Sequence, residues 1–176
     1  MRGWALLLAL VMGCGEPATP QDAGLDALRL DDADGNALDD PTLELGAGQL
    51  DWEPLSPTAV TPSELIHGPQ GGYHLFGRLR SMRLPDAVQV TFRVTDLTSG
   101  RVLNNPDERI TLRNGRGLSG APGAWATSNA LLIILERIMG PAEVVGHVVE
   151  IEAFVRPLND VRAARVVRRV RVVDKT

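Results

Sequence analysis

Hydrophobic and polar residues alternate with a period of two in three segments of the chain, and this pattern strongly restricts the possible folds. In residues 87–97 the apolar side chains occupy every second position, and residues 149–156 and 164–172 repeat the alternation. Successive side chains of a β-strand point to opposite faces of the sheet. Each segment therefore predicts a β-strand with one buried face and one exposed face.

Turn-forming residues separate several further short segments. Strands are predicted at residues 42–46, 73–80 and 108–113, and the glycine-rich residues 114–123 are predicted to form a loop. Residues 130–139 fit a helix or a buried strand, and the Gly-Pro that follows them favours the strand. Seven to nine short antiparallel strands after residue 42 predict an all-β fold, an immunoglobulin-like two-sheet sandwich without the antibody Cys-Trp-Cys pattern.

The last two predicted strands also suggest a specific antiparallel register. Placing Ile151 opposite Val170 brings Glu150 opposite Arg171 and Glu152 opposite Arg169, so that opposite charges pair on the exposed face. This register leaves Arg168 pointing inward, opposite Ala153. We therefore expect a β-bulge near Arg168.

The N-terminus has the features of a secretory signal peptide. Arg2 precedes nine uncharged residues at 4–12, a stretch too short to cross a bilayer, which needs about 20 residues. The next residues, Val11-Met12-Gly13-Cys14, resemble the lipobox of bacterial lipoproteins, in which the cysteine thiol receives a lipid. Cys14 is the only cysteine in the chain, which excludes an internal disulfide. We therefore predict a lipoprotein signal peptide at 1–13 and lipidation of Cys14.

An acidic segment follows the predicted lipidation site. Residues 15–54 contain eleven acidic residues and one basic residue, whereas residues 55–176 have a net charge of +5. Because the part from 14 to 41 is poor in apolar residues, it is predicted to be a flexible linker before a β-sandwich domain at 42–176. Residues 32–36 resemble part of an EF-hand loop, but the first and last ligand positions would be Leu30 and Pro41, so no calcium site is predicted.

Two short motifs extend the resemblance to lipoproteins. The residues Glu44-Leu45-Gly46-Ala47-Gly48 and, after a proline-containing spacer, His67-Gly68-Pro69-Gln70-Gly71-Gly72-Tyr73-His74 resemble a group of uncharacterised lipoproteins from myxobacteria and their relatives. The resemblance covers residues 42–80 and carries no assigned activity. It implies a secreted β-domain.

No residue pattern in the chain predicts catalysis, a metal or a cofactor. His67 and His74 flank a glycine-rich turn, with Glu64 as the nearest carboxylate, but their spacing does not match a zinc site. Neither Ser63 nor Ser81 lies in a G-x-S-x-G motif, and the glycine-rich segment 115–120 lacks the following Lys-Ser/Thr of a phosphate-binding loop. We therefore predict that the protein is not an enzyme.

Charged and aromatic residues leave two interpretations of binding open. The C-terminal arginines either pair with Glu150 and Glu152 or bind an anionic ligand such as an acidic glycan or lipopolysaccharide; they are Arg162, Arg165, Arg168, Arg169 and Arg171. An exposed aromatic platform formed by Tyr73, Phe76 or Trp125 would favour a glycan. Nucleic acid is not an expected partner, because aromatic residues make up only 4% of the chain and the predicted location is outside the cytoplasm.

These observations predict a lipoprotein of the cell envelope that is held in the membrane by a lipid on Cys14. In the sorting rule of enterobacterial lipoproteins, an aspartate after the lipidated cysteine retains the protein at the inner membrane. Here Gly15 follows the cysteine, which favours the outer membrane, with the domain facing the periplasm or the cell surface. The β-sandwich is predicted to be a non-enzymatic binding or structural module for an unknown envelope protein or glycan. The alternative is a carbohydrate-binding module.

Overall fold

The computed structural model describes residues 40–69, 71–121, 123–159 and 161–175, which form eleven β-strands and one 3₁₀ turn at Pro141–Glu143. The strands are β1 (Thr42–Ala47), β2 (Glu53–Pro54), β3 (Thr61–His67), β4 (Tyr73–Met82), β5 (Ala87–Asp96), β6 (Ile110–Asn114), β7 (Gly117–Ala121), β8 (Ala124–Thr127), β9 (Leu131–Ile134), β10 (Val148–Pro157) and β11 (Ala164–Asp174). Among these described residues, no helix is long and apolar enough to span a membrane. The predicted signal peptide, Cys14 and nearly all of the predicted linker lie outside the described residues.

The strand pairings close on themselves through β4. The strands follow the order β2-β1-β4-β3-β11-β10-β5-β6-β7-β8, and β8 pairs back onto β4. The first half of β4 pairs with β3 and β9, and the second half pairs with β1 and β8. Gly77 of β4 lies close to the side chains of β9 and β5, since a Cβ at Gly77 would lie 3.0 Å from Ile133 Cδ1 and 3.4 Å from the Phe92 ring. The result is an all-β sandwich, as the alternation predicted.

The core includes the residues that the period-two pattern marked as inward in β5 and β10. In β5 these are Val88, Val90, Phe92 and Val94, and all four are buried. The inward residues of β10 are equally buried; they are Val149, Ile151, Ala153 and Val155. Burying such side chains stabilises the fold by about 1.5–3 kcal/mol each relative to leaving them exposed.

The observed strands differ from the predicted ones in three places. Residues 131–134 form β9, so part of the segment is a strand and none of it is a helix, but Leu132 and Ile134 are exposed and the strand is not fully buried as predicted. The prediction of a loop at 114–123 was wrong, because Gly117–Ala121 forms β7 and pairs with β6 and β8. The total is eleven strands, and β3–β11 and β6–β7 pair in parallel, whereas the sequence indicated only antiparallel neighbours.

The predicted register of the last two strands was wrong by two residues. Val149 pairs with Val170 and Ile151 pairs with Arg168 in a continuous ladder without a bulge. A shift of two residues leaves every side chain on its predicted face, so alternation cannot distinguish the two registers.

Charges explain why the observed register is preferred. The predicted register would place Arg156 opposite Arg165, whereas the observed one places Phe154 opposite Arg165. Arg165 Nε then donates to Glu152, and Arg169 Nε lies 3.2 Å from Glu150 Oε2.

Arg168 points toward the interior without requiring a bulge. Its Nε donates to the Leu55 carbonyl at 3.2 Å, and its Nη1 donates to the Val167 carbonyl at 2.8 Å. Backbone carbonyl groups therefore satisfy the guanidinium group where we had expected a distortion of the strand.

Candidate functional site

The two histidines beside the glycine-rich turn do not form a joint site. Ile66 pairs with His74 and His67 pairs with Tyr73, so the histidines belong to neighbouring rungs of the β3–β4 ladder and point to opposite faces. His67 Nε2 lies 3.0 Å from Asp174 Oδ1. Burial lowers the pKa of His74, which packs edge-on against Phe76. Glu64 pairs instead with Lys175, and the described residues contain no cluster of three metal-ligating side chains.

The third histidine belongs to a hydrogen-bonded turn after β5. Asp96 is buried, and its carboxylate accepts hydrogen bonds from Ser99 Oγ at 2.6 Å, from the Thr98 amide at 3.0 Å and from His147 Nδ1 at 3.2 Å. Burial by itself raises the pKa of Asp96, but these three hydrogen bonds outweigh it and hold the pKa below its usual range. Ser99 and His147 both contact the aspartate and not each other, so the group lacks the serine–histidine contact that activates a nucleophile.

The Asp96→Asn variant is expected to be less stable in a pH-dependent manner. A hydrogen bond to a charged group contributes about 1.5–3 kcal/mol, and because asparagine keeps one acceptor oxygen, the loss near pH 7 should be that of about one such bond. Because the folded-state pKa of Asp96 is lowered, this stabilisation is present above the unfolded-state pKa of about 3.9 and disappears as the pH falls through the folded-state pKa. Urea unfolding of both proteins from pH 7 to pH 3 should show the difference shrinking at the acidic end. The exposed Glu108→Gln control should stay close to wild type, and a pH-independent difference for Asp96→Asn would contradict the assignment.

The three aromatic residues whose exposure would have favoured a glycan do not form a common platform. Trp125 is buried, and its Nε1 donates to the carbonyls of Pro85 at 2.9 Å and Leu84 at 3.2 Å. Tyr73 and Phe76 occupy opposite faces of β4. These three rings therefore cannot stack on one ligand.

Most of the C-terminal arginines are engaged within the domain. Arg165 and Arg169 pair with Glu152 and Glu150, as one of the two interpretations expected. Arg171 Nη1 donates to the Gly146 carbonyl at 2.9 Å. These contacts stabilise the sheet, and they leave the guanidinium groups of these three arginines less available to a ligand.

Two such arginines line a cleft on the exposed face of β5 and β10. The cleft has a volume of about 160 Å³, and we call it the arginine cleft; its lining includes Gln89, Thr91, Asp107, Arg109, Phe154 and Arg156. On adjacent strands Phe154 pairs with Thr91 and Arg156 with Gln89, while Arg109 immediately precedes β6. Within the described part of the chain, the side chains of Arg109, Arg156 and Asp107 make no hydrogen bond or ion pair. The cleft therefore presents two unpaired guanidinium groups beside an aromatic ring.

The sequence contained one local sign of this cleft that our prediction did not use. Phe154 occupies the exposed phase of β10, between Glu152 and Arg156, where an aromatic side chain has no core to enter. An aromatic residue among charged residues on a wet face is a typical feature of interaction surfaces.

A second groove runs across the exposed face of β1, β4 and β8. It has a volume of about 380 Å³, and small side chains such as Ala124 and Ala126 contribute to its lining. The Arg80 guanidinium lies 4.0 Å from the centroid of the Trp52 ring, an arrangement that holds the cation in one orientation. Met82 also lines the groove and is 56% exposed. This groove is mainly apolar, unlike the arginine cleft.

A third cavity, of about 520 Å³, lies between the β1–β2 hairpin and the ends of β3 and β11. Asp51, Glu53, Glu64 and Lys175 contribute to its lining, and the last two form an ion pair at 3.3 Å. No histidine lines this cavity among the described residues. Lys175 is already paired within the domain, unlike the arginines of the arginine cleft.

Comparisons with known proteins find few similarities. No family model matches the chain, and no curated protein matches it. Among solved structures, the chain is similar to the CooA pilin subunit from enterotoxigenic Escherichia coli, with a TM-score of 0.37 and 11% sequence identity. The match covers 76% of this chain and 99% of the pilin chain. Similarity at this level identifies neither a family nor a function.

Proposed function

We propose that this protein is an outer-membrane lipoprotein of the cell envelope, anchored by lipid on Cys14, whose β-sandwich is a non-enzymatic binding or structural module. The arginine cleft carries the binding part of the proposal. Its two guanidinium groups have no partner within the described part of the chain; Arg156 is exposed on β10 and Arg109 is exposed just before β6. Charged groups that are positioned but unpaired are available to a ligand.

The anchoring part of the proposal rests on the residue order Val11-Met12-Gly13-Cys14. Each buried methylene of an attached acyl chain contributes about 0.8 kcal/mol to membrane binding, so two or more chains give stable anchoring. The acidic residues after Cys14 would be repelled by an anionic membrane surface, which favours a position of the domain away from it.

Changing Cys14 to alanine is expected to abolish lipidation completely. Cells that express the wild type or Cys14→Ala would be labelled with radioactive palmitate and separated into membrane and aqueous fractions. The wild type should carry the label and sediment with membranes, and the variant should do neither. Met12→Ala is the matched control, because the lipobox tolerates variation at that position. Equal labelling of wild type and Cys14→Ala would refute the anchor.

A second candidate function is the binding of an acidic glycan or lipopolysaccharide. The observation that favours it is the aromatic ring of Phe154 between unpaired arginines. Retention of the purified chain on an immobilised acidic polysaccharide, compared with a neutral polysaccharide of similar length, tests this function. Equal retention on the two supports would argue against it.

A further inference from the structure

We infer that the arginine cleft binds the carboxylate of a uronic acid residue in an acidic polysaccharide, with Arg109 and Arg156 holding the carboxylate and Phe154 contacting the sugar ring. This inference rests on the binding-module part of the proposed function and names the ligand class. It follows from the charge, the hydrogen-bonding groups and the rigidity of the cleft.

The charge of the cleft matches a singly charged anion. Arg109 and Arg156 contribute two positive charges and Asp107 contributes one negative charge, which leaves a net charge of +1. A phosphate monoester carries about −1.5 to −2 charges near neutral pH, and the Asp107 carboxylate would repel it. A carboxylate carries one negative charge, and its planar pair of oxygen atoms fits the fork of a guanidinium group.

The remaining lining groups suit a sugar ring. The face of the Phe154 ring is electronegative and attracts the polarised C–H groups of a pyranose. Gln89 and Thr91 supply an amide and a hydroxyl group, both of which donate and accept hydrogen bonds as sugar hydroxyl groups require. An aromatic surface with a few polar groups beside it is the usual composition of a small-molecule site.

The sheet fixes the backbone positions of Gln89, Thr91, Phe154 and Arg156 before a ligand arrives, whereas Arg109 lies just before β6. Gln89 and Arg156 form one cross-strand pair, and Thr91 and Phe154 form the next pair on the same face of the sheet. The buried residues Val90 and Val155 hold these strands in place from the core side. Because the backbone of these four residues is already ordered in the sheet, binding does not have to order it, which reduces the entropic cost of binding.

The test is a calorimetric titration of the purified full chain, at low and at moderate salt concentration. The ligands are oligogalacturonate, the methyl ester of the same oligosaccharide, and inorganic phosphate. We expect the wild type to bind oligogalacturonate at least about tenfold more tightly than the ester or phosphate, because only the carboxylate pairs with both arginines. Higher salt should weaken this binding. Equal affinity for the ester, or tighter binding of phosphate, would overturn the inference.

Variants locate the binding to the cleft. Arg109→Gln and Arg156→Gln should each weaken binding of oligogalacturonate by about tenfold or more, and Phe154→Ala should weaken it while preserving the salt dependence. Arg93→Gln is the matched control, since Arg93 is exposed on the same face of β5, does not line the cleft and loses the same charge. Circular dichroism would verify that each variant is folded, and Phe154→Leu would replace Phe154→Ala if the latter did not fold.

Loss of affinity in Arg93→Gln equal to that in Arg109→Gln would overturn the assignment to the cleft. Absence of oligogalacturonate binding, with membrane location still dependent on Cys14, would refute this inference and leave the proposed anchor intact.

Discussion

Replacing Asn104 by alanine is expected to lower the free energy of unfolding by about 2–6 kcal/mol, since each buried polar group left without a partner costs about 1–3 kcal/mol. Asn104 is only 5% exposed. Its Oδ1 accepts a hydrogen bond from the Val94 amide at 2.8 Å, and its Nδ2 donates to the Phe92 carbonyl at 2.7 Å. The neighbouring Leu103 amide donates to the Val94 carbonyl at 2.8 Å. The Leu103 backbone and the Asn104 side chain together therefore supply to β5 the hydrogen bonds that a neighbouring strand would supply.

Urea unfolding of three variants would measure this effect. Asn104→Ala removes both hydrogen bonds, and Asn104→Asp keeps an acceptor for Val94 but places a second oxygen against the Phe92 carbonyl, so it should also be destabilised near pH 7. The control is Asn105→Ala, which removes one exposed contact with the Asp107 amide and should cost about 1 kcal/mol or less. A loss below about 1 kcal/mol for Asn104→Ala would show that water replaces its hydrogen bonds.

The role of Asn104 shows where prediction from the sequence ends. The alternation of Val88, Val90, Phe92 and Val94 is a local property, and it correctly predicted β5 and its buried face. The hydrogen-bond partners of Asn104 depend on how the chain returns to the edge of β5 after the turn that follows this strand. No local sequence pattern predicts that path. In the same way, the glycine content of 117–121 suggested a loop, although its pairing with β8 makes it a strand.

The pairing of β10 and β11 gives a second example. Alternation specifies which face each side chain occupies, and it correctly placed the alternating valines of both strands in the core. The choice between registers two residues apart depends on which charges meet on the exposed face. Arg156 opposite Arg165 was already an unfavourable pair in the predicted register, and this like-charge pair was the available sign of the error.

The arginine cleft combines a local sign with a long-range arrangement. Phe154 in the polar phase of β10 was readable from the sequence, whereas the approach of Arg109 required the pairings of β5 with both β6 and β10. Sequence reasoning considered only the arginines at the end of the chain as candidates for an anionic ligand, and Arg165 and Arg169 follow the other interpretation, pairing with glutamates. The proposed site therefore rests on charged groups that lack a partner and not on high local charge. The lipidation of Cys14 stays a prediction from the sequence.

The Gly120→Ala variant is expected to destabilise the domain by about 2–6 kcal/mol, because backbone strain and overpacking each cost about 1–3 kcal/mol. Gly120 pairs with Trp125 in the β7–β8 ladder and has a φ of 136°, a conformation that favours glycine. A Cβ atom there would lie 2.3 Å from the Ala124 carbonyl oxygen and 2.9 Å from the Trp125 Cα. Both contacts involve backbone atoms, so relief requires β7 and β8 to move apart.

Gly115→Ala separates the effect of the clash from that of the backbone conformation. Gly115 also has a positive φ, of 71°, but no atom lies within 4 Å of the position of its Cβ. Its replacement should cost only the conformational term of about 1–2 kcal/mol. Urea unfolding followed by the fluorescence of the buried Trp125 would compare the two variants, and Gly120→Ala should show the earlier transition and a more exposed indole in the folded state. Equal losses would mean that β7 shifts at little cost. In that case the close approach of β7 to β8, which shapes one side of the groove across β1, β4 and β8, is not a rigid feature of the fold.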